Sequence, residues 1–471
     1  MKRKAASLIL ATAMTVSLLA GCGSTASTTA TEATTQAAET TESVATEAAT
    51  TESAEVTYKG EITMMHYSTQ EEIDGGNAGA TTLVNTIDNW VAKHPDITLS
   101  QNVLANKDYK PKIATLAASD SLPDVFFLQG MDAQSFSDQG MILDLTQYVD
   151  ASPYKDKYDM SKFYPFTKDD KYYAIPAMQD GTCTLVAYNA KAWEAAGYSE
   201  FPKTWDEVIS AQSKLEEQGY KYAVSFANGD AWQGTSIWLS TFGDRFTGSD
   251  WTFSIIENTG AKFTDKVFVD ALQATNDVLN SGVFNPDYNS ASQQVGNDAY
   301  VAGLSAAAVG GNWDAAYIKG NADQELIDNT KFAVLPQPKG ATGSENTHAT
   351  TMGYGLAINA KVAEDPEKLA ACIDLIETLS GPEYADYLAE NFAAKTMCAA
   401  GEIDLSKFDQ WDQDMYNYYE NPGCSVYDTY IDASVMGVMN SGIQAMLNGS
   451  KTAEELAAEI QAKYEEVNAA K

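Results

Sequence analysis

Histidine and cysteine are scarce, with 3 His and 5 Cys in 471 residues. His66, His94 and His348 stand far apart, and there is no CxxC pair or Cys/His cluster. The ligand spacing of a zinc site is therefore missing, and no metal is expected. Basic residues are also few, 30 Lys plus Arg against 65 Asp plus Glu, for a formal net charge of −35. Affinity for nucleic acid rests on cations that neutralise phosphates, so nucleic acid is excluded as a partner. Beyond the N-terminus no run approaches the ~18 apolar residues that cross a bilayer. Catalytic signatures are absent as well: no G-x-S-x-G, no H-E-x-x-H, no phosphate loop and no G-x-G-x-x-G after a strand. Gly310-Gly311-Asn312-Trp313 is rich in glycine without phosphate-loop spacing, and Asp150 to Asp159 lacks the EF-hand pattern. Acids are so abundant that counting does not exclude a glycosidase pair, although for any single acid a solvated surface is the ordinary role. No catalytic residue and no cofactor is expected.

What is present begins at the N-terminus. Lys2, Arg3 and Lys4 precede an apolar run from Ala5 to Leu18, and Leu19-Ala20-Gly21-Cys22 follows. A charged start, a short apolar core and small residues before a cut site make a secretory signal, here residues 1–21. Leu-Ala-Gly-Cys resembles the lipobox of bacterial lipoproteins. That resemblance implies cleavage before Cys22, acylation of Cys22 with palmitate-type chains, and residence on the outer face of the cell membrane. Each acyl CH₂ that enters the bilayer contributes about 0.8 kcal/mol. Residues 23–57 are almost only Ser, Thr, Ala and Glu, with no aromatic, Lys or Arg. Such a segment buries too little apolar surface to offset the entropy of ordering, so a solvated tether is expected over 22–57.

From Tyr58 on, strand and helix patterns alternate, the signature of an α/β body over 58–471. Glu61 to Tyr67, Ile97 to Val103 and Pro123 to Leu128 read as strands. Leu83, Ile87, Trp90 and Val91 share a helix face, and Tyr109 to Ala118 reads as a second helix. Thr204-Trp205-Asp206-Glu207 and Thr452-Ala453-Glu454-Glu455 are capping boxes that open helices. Val267, Ala271, Thr275 and Val278 mark another helix, as do Leu369, Cys372, Ile373, Ile376 and Leu379. Trp90, Trp193, Trp205 and Trp238 fall on helix patterns or beside caps and are expected in the core. Cys183 and Cys372 read as small core residues. Cys398 and Cys424 have a spacing that neither requires nor forbids a disulfide.

Several blocks resemble the extracellular solute-binding proteins of bacterial ABC transporters, in the group that captures sugars. They are Trp90 to Ile97, Ser119 to Phe126, Tyr172-Tyr173-Ala174-Ile175-Pro176, Tyr188-Asn189, Ala196-Gly197 and Pro202 to Glu207. Later come Tyr300 to Ala307, Gly311-Asn312-Trp313 and Leu447 to Thr452, in matching order over nearly the whole body. The resemblance implies a two-lobed periplasmic-binding-protein-like fold with a hinge and an interlobe cleft. On that pattern the chain crosses near Met178 to Thr182 and returns near Gly353 to Ile358. Lobe 1 is expected over 58–178 and 305–355, lobe 2 over 179–304 and 356–471. The implied function is capture of a mono- or oligosaccharide by a monomer that hands it to a membrane permease. A cationic solute such as a polyamine is the alternative, consistent with the acidic charge.

Cleft residues follow from strand ends and aromatic placement. In open α/β sheets ligands meet the carboxyl ends of strands, which nominates Tyr67, Gln70, Gln129 and Asp132. The resemblance adds Asp180 at the crossing and Trp313 as a ring that stacks on a sugar, against a core role. Trp232 and Trp251 are further aromatic candidates, and Tyr354 stands beside the return crossing. Flat aromatic faces suit sugar C–H surfaces, and Asp and Gln suit hydroxyls. The segment Gln129 to Asp132 departs from the aromatic-acidic run of well-known maltose binders, so maltodextrin is not a specific expectation.

Overall fold

Two apolar cores organise the chain, each built around its own sheet. The computed structural model describes residues 56–178 and 181–469. Cys22, the tether and Asp180 lie outside the described residues.

The first lobe carries a five-stranded sheet in the order Ile97–Val103, Gly60–His66, Val125–Gln129, Tyr354–Ile358, Ile175–Pro176. The first three strands run parallel, and Tyr354–Ile358 runs antiparallel to Val125–Gln129 with Leu356 opposite Phe127. Val125–Gln129 is buried along its whole length, as expected of a strand covered on both faces. Helices Ala78–Lys93, Asn106–Ala118 and Pro366–Ser380 supply Leu83, Ile87, Trp90, Ile113, Leu375 and Leu379 to this core. The second lobe has a three-stranded antiparallel sheet, Thr330–Ala333, Leu185–Asn189, Ala307–Gly310. Helices Trp205–Glu217, Lys266–Leu279, Ala433–Leu447 and Ala453–Ala469 pack around it. Both expected capping boxes form: Thr204 with Glu207, and Thr452 with Glu455. Trp90, Trp193, Trp205 and Trp238 are all buried, as their helix positions require.

The lobe boundaries need correction. Residues 305–335 were expected in lobe 1, yet Ala307–Gly310 pairs with Leu185–Asn189 and Ala306, Val309 and Leu335 join the second core. Residues 356–398 were expected in lobe 2, yet Leu356 lies in the first sheet, and Leu375, Leu388 and Met397 pack behind it. The physical reason is strand pairing, which only the folded register reveals. The chain crosses three times, the third passage running from Cys398 in the first core to Trp411 beside the second sheet.

A small sheet ties these passages together. Gly423–Ser425 pairs parallel with His348–Thr351, which pairs antiparallel with Gly181–Thr182. Cys183, Ala349, Cys424 and Val426 form a separate apolar cluster in it, on which Trp313 packs. The four described cysteines are all buried and none is in a disulfide, so Cys398 and Cys424 are not bridged. Among the described residues no helix is long and apolar enough to cross a membrane.

Candidate functional site

Between the two sheets lies a cavity of about 440 Å³. Tyr67, Ser68, Glu72, Gly76, Leu83 and Phe127 of the first lobe line one wall. Asn312, Trp313, Ala316, Lys319 and Gly320 of the second lobe line the other. Ala177, Met178 and Gly181 of the first crossing, with Trp411, Asp412, Met415 and Tyr419 after the third, complete it.

Tyr67 is placed by the end of strand Gly60–His66 and held by rings on three sides. Its centroid is 4.7 Å from Tyr354, 5.4 Å from Phe127 and 5.7 Å from Tyr109. Burial pushes its phenol well above the usual range, with the Glu72 charge adding to the effect. Tyr354 is paired with Gln129 in register, so the two side chains share a face of the sheet. Its hydroxyl donates to Asn106 Oδ1 at 3.2 Å. Gln129 is buried with its Oε1 lacking a hydrogen-bond partner. Asp132 opens helix Gly130–Asp138, and burial pushes its carboxyl up to about 6 despite the opposing Lys110 charge. Asp432 of the second lobe acts on it in the same upward sense.

Trp313 sits in the first turn of helix Asn312–Asn321. The glycines before it are required by close approach: a Cβ at Gly311 would lie 2.5 Å from the Trp313 ring, and one at Gly310 would strike the Asp314 carboxylate. Asp314 anchors the turn, accepting from the Gly311 N–H at 2.8 Å, Gln293 Nε2 at 2.8 Å and Asn297 Nδ2 at 2.6 Å. Full burial still pushes its carboxyl up to about 6, against these donors. Trp232 stands 6.0 Å from Trp313 between ring centroids.

Two polar residues of the cavity lining, Glu72 and Asn312, were not anticipated. Glu72 Oε2 and Asn312 Oδ1 are both buried without a hydrogen-bond partner, the first from lobe 1 and the second from lobe 2. Burial pushes the Glu72 carboxyl up to about 7, opposed by the backbone N–H of Thr69. The Glu72 N–H in turn donates to Thr69 Oγ1 at 3.3 Å, so Thr69-x-x-Glu72 is a capping box at the strand end. That motif was the sequence signal for Glu72. Lys319 is already committed to Asp412 at 2.6 Å and Asp409 at 2.9 Å.

Of the expected residues, Tyr67 and Trp313 line the cavity and Tyr354 and Trp232 touch them, whereas Gln129, paired with Tyr354, and Asp132, whose charge acts on the Tyr354 phenol, lie outside its lining. Two more stand apart. Gln70 is exposed and donates to Asp74 Oδ1 at 2.8 Å along its own short helix. Trp251 stacks on Phe268 at 5.1 Å and donates to Asp265 Oδ2 at 2.8 Å, which makes it part of the second lobe's packing.

The arrangement offers buried acceptors, aromatic faces and apolar walls. Similarity to known proteins points the same way. A curated lactose-binding protein of Rhizobium radiobacter is 25% identical over 341 residues, 69% of this chain and 74% of its own length. A solved chitin oligosaccharide binding protein superposes with a TM-score of 0.75 at 19% identity, covering 87% of this chain and 99% of that one. A structure from work on xylan utilisation by Caldanaerobius polysaccharolyticus gives 0.73 at 22% identity, covering 86% and 99%. Maltose-bound T. maritima MalE3 gives 0.68 at 18% identity, covering 87% and 100%. These likenesses establish the fold as α/β and periplasmic-binding-protein-like. The family profile for bacterial extracellular solute-binding proteins matches residues 75–386, about two thirds of the chain, and the chain belongs to that family, which binds solutes and is not enzymatic.

Proposed function

We propose that this protein is a lipid-anchored receptor that captures a mono- or oligosaccharide between its lobes and delivers it to an ABC transporter permease for import. The observation that carries the reading is the cavity between the lobes, walled by the aromatic residues Tyr67, Phe127, Trp313 and Trp411 and carrying Glu72, Asn312 and Asp412 in its lining. Flat aromatic faces suit sugar C–H surfaces, and carboxylate and amide side chains suit its hydroxyls. Trp313 offers the stacking face. Tyr67, Gln129, Asp132, Trp232 and Tyr354 extend the contact surface, with Asp180 at the crossing. Relatives named for lactose and for chitin oligosaccharide are consistent with this ligand class. Residues 1–21 direct export, Cys22 carries the lipid, and residues 23–57 tether the body to the membrane.

Glu72 favours one second reading. A cationic solute such as a polyamine would supply a charge opposite to this carboxylate. A thermal-shift screen over sugars, polyamines and amino acids separates the two. A ligand at 100 times its dissociation constant stabilises by about 2.7 kcal/mol. Shifts with sugars support the receptor as stated, shifts with spermidine alone transfer the assignment to cations, and silence across all sugars refutes the carbohydrate reading.

A further inference from the structure

One helix of the second lobe holds all three strands of the hinge sheet. It runs over residues 234–247, with Gly234–Leu239 as a π-helix and Ser240–Thr247 as an α-helix. Its widened start closes with the Ser240 N–H on the Thr235 carbonyl, five residues back. Within that stretch the Ile237 carbonyl accepts from Thr184 Oγ1 at 2.8 Å and from Thr241 Oγ1 at 3.1 Å, and Thr184 follows strand Gly181–Thr182. Strand His348–Thr351 is held through the residue before it: Thr347 Oγ1 donates to Asp244 Oδ2 at 3.0 Å, and the Thr347 carbonyl accepts from Arg245 at 2.8 Å. Upstream, the Gly343 N–H donates to the Arg245 carbonyl at 2.6 Å, and a Cβ on Gly343 would lie 2.5 Å from the Asp244 carbonyl oxygen. Strand Gly423–Ser425 is held by Ser240, whose hydroxyl accepts from the Tyr427 N–H at 3.1 Å and whose carbonyl accepts from Cys424 Sγ at 3.8 Å. Gly243 leaves room for this contact, since a Cβ there would strike the Tyr427 hydroxyl. Residues 240–245 of the helix are all buried. On the first-lobe side, Met352 and Gly353 join the sheet to strand Tyr354–Ile358, and the Gly130 N–H reaches the Gly353 carbonyl at 3.4 Å.

We infer that the hinge sheet is a rigid outgrowth of lobe 2, fastened there by helix 234–247, and that the lobes open by bending on the sheet's lobe 1 edge, at Met352–Gly353 on the return passage. Thr184, Ser240, Thr241, Asp244 and Arg245 are then positioning residues, which act on the cleft through the sheet. Trp313 packs on the same sheet from lobe 2, so ring and sheet move as one body. The wall that carries Trp313 keeps its shape at every degree of opening, and the wall that carries Tyr67 swings against it. The inference holds whatever the ligand is, and so goes beyond the carbohydrate reading.

Hydrogen exchange read by mass spectrometry on the full chain, over a urea series below the unfolding transition, tests this without any ligand. The bonded amides of Cys183, His348 and Tyr427 should open together with those of Leu185–Asn189 and Ala307–Gly310, with the same dependence on urea. Those of Gly60–His66 and Val125–Gln129 should form a separate set. Hinge amides that open with the first-lobe set, or one common opening for the whole chain, overturn the inference. The paired substitution Thr241→Val with Thr347→Val removes two hydroxyl fastenings at nearly constant volume. It should speed exchange at Cys183 and His348 about tenfold and leave both lobe sheets within about twofold of wild type. Unchanged exchange in the folded variant overturns the role of the helix. Nitroxide labels give a geometric reading that stability alone does not move. The distance distribution between labels at Lys221→Cys and Glu345→Cys, exposed positions on lobe 2 and on the return passage, should be narrow. That between Lys112→Cys, exposed on lobe 1, and Glu345→Cys should be roughly twice as wide or more. Equal widths, or the reverse order, overturn the assignment of the sheet to lobe 2.

Discussion

Arg245 donates from Nη2 to the carbonyl oxygen of Thr347 at 2.8 Å, at the residue before hinge strand His348–Thr351. Its Nη1 donates to Pro336 O at 2.8 Å and also to Leu335 O. It is the only arginine among the described residues, and it is fully buried. A planar fork reaches several carbonyls at once, which a lysine ammonium on a flexible stem does not match. Burial lowers its pKa to about 10, so the side chain stays charged at neutral pH.

Arg245→Met should therefore leave three carbonyls short of a donor and lower stability by about 3–5 kcal/mol. Arg245→Lys should recover only part of the loss. Urea unfolding followed by circular dichroism checks both; equal stability of the lysine variant and wild type would contradict the fork argument.

Trp313 touches both the cavity and the hinge cluster of Cys183, Ala349, Cys424 and Val426. Truncating a binding hot spot costs on the order of 2 kcal/mol, roughly thirtyfold in affinity. Trp313→Ala should show that loss together with a lower melting temperature, since the ring also covers hinge apolar surface. Trp313→Phe should keep most of the stability and less of the affinity. Native affinity in the alanine variant would reduce Trp313 to packing.

Local chemistry made much of the fold legible in advance. Strands at Ile97 and Val125, the helices carrying Trp90 and Leu375, and both expected capping boxes follow from period and neighbouring residue types. Lobe membership of 305–335 and 356–398 was not legible, because it depends on which distant strand each segment pairs with. Trp313 was nominated by the resemblance at Gly311-Asn312-Trp313, whereas Asn312 has no signal beyond its neighbour. Trp251 misled because an indole in a polar stretch can be satisfied by a nearby carboxylate, here Asp265.

Cys398 belongs to the first core and Cys424 to the hinge cluster. Burial pushes the Cys398 thiol up to about 11 and that of Cys424 higher still, which suppresses the reactive thiolate. The native protein should resist iodoacetamide at these two sites and at Cys183 and Cys372. After denaturation without reductant, all four should alkylate. Mass spectrometry reads the count, and a pair protected until reduction would contradict the absence of a disulfide among these four cysteines.

Glu72 makes the site's pH behaviour testable, with a sign. Its carboxyl has an ordinary pKa of 4.5 and reaches about 7 in the fold. Between those values the native state binds more protons at this position than the unfolded chain does. Its contribution to stability therefore falls as pH rises through that window, and the loss is complete above about 7. Asp132 and Asp314 shift in the same direction, so the wild-type slope alone does not isolate Glu72. The difference between wild type and Glu72→Gln does. The variant should gain melting temperature on wild type between pH 5 and pH 8, because it has no proton to lose. Ligand binding adds the discriminating half of the experiment. Glutamine keeps an oxygen that accepts from a hydroxyl, so a sugar should lose only several-fold in affinity, with little pH dependence in either protein. A cation needs the ionised carboxylate: its affinity for wild type should climb from pH 6 to pH 8 and collapse in Glu72→Gln. A melting difference that stays constant over this range would mean that Glu72 is ionised throughout, and burial would then not govern its titration.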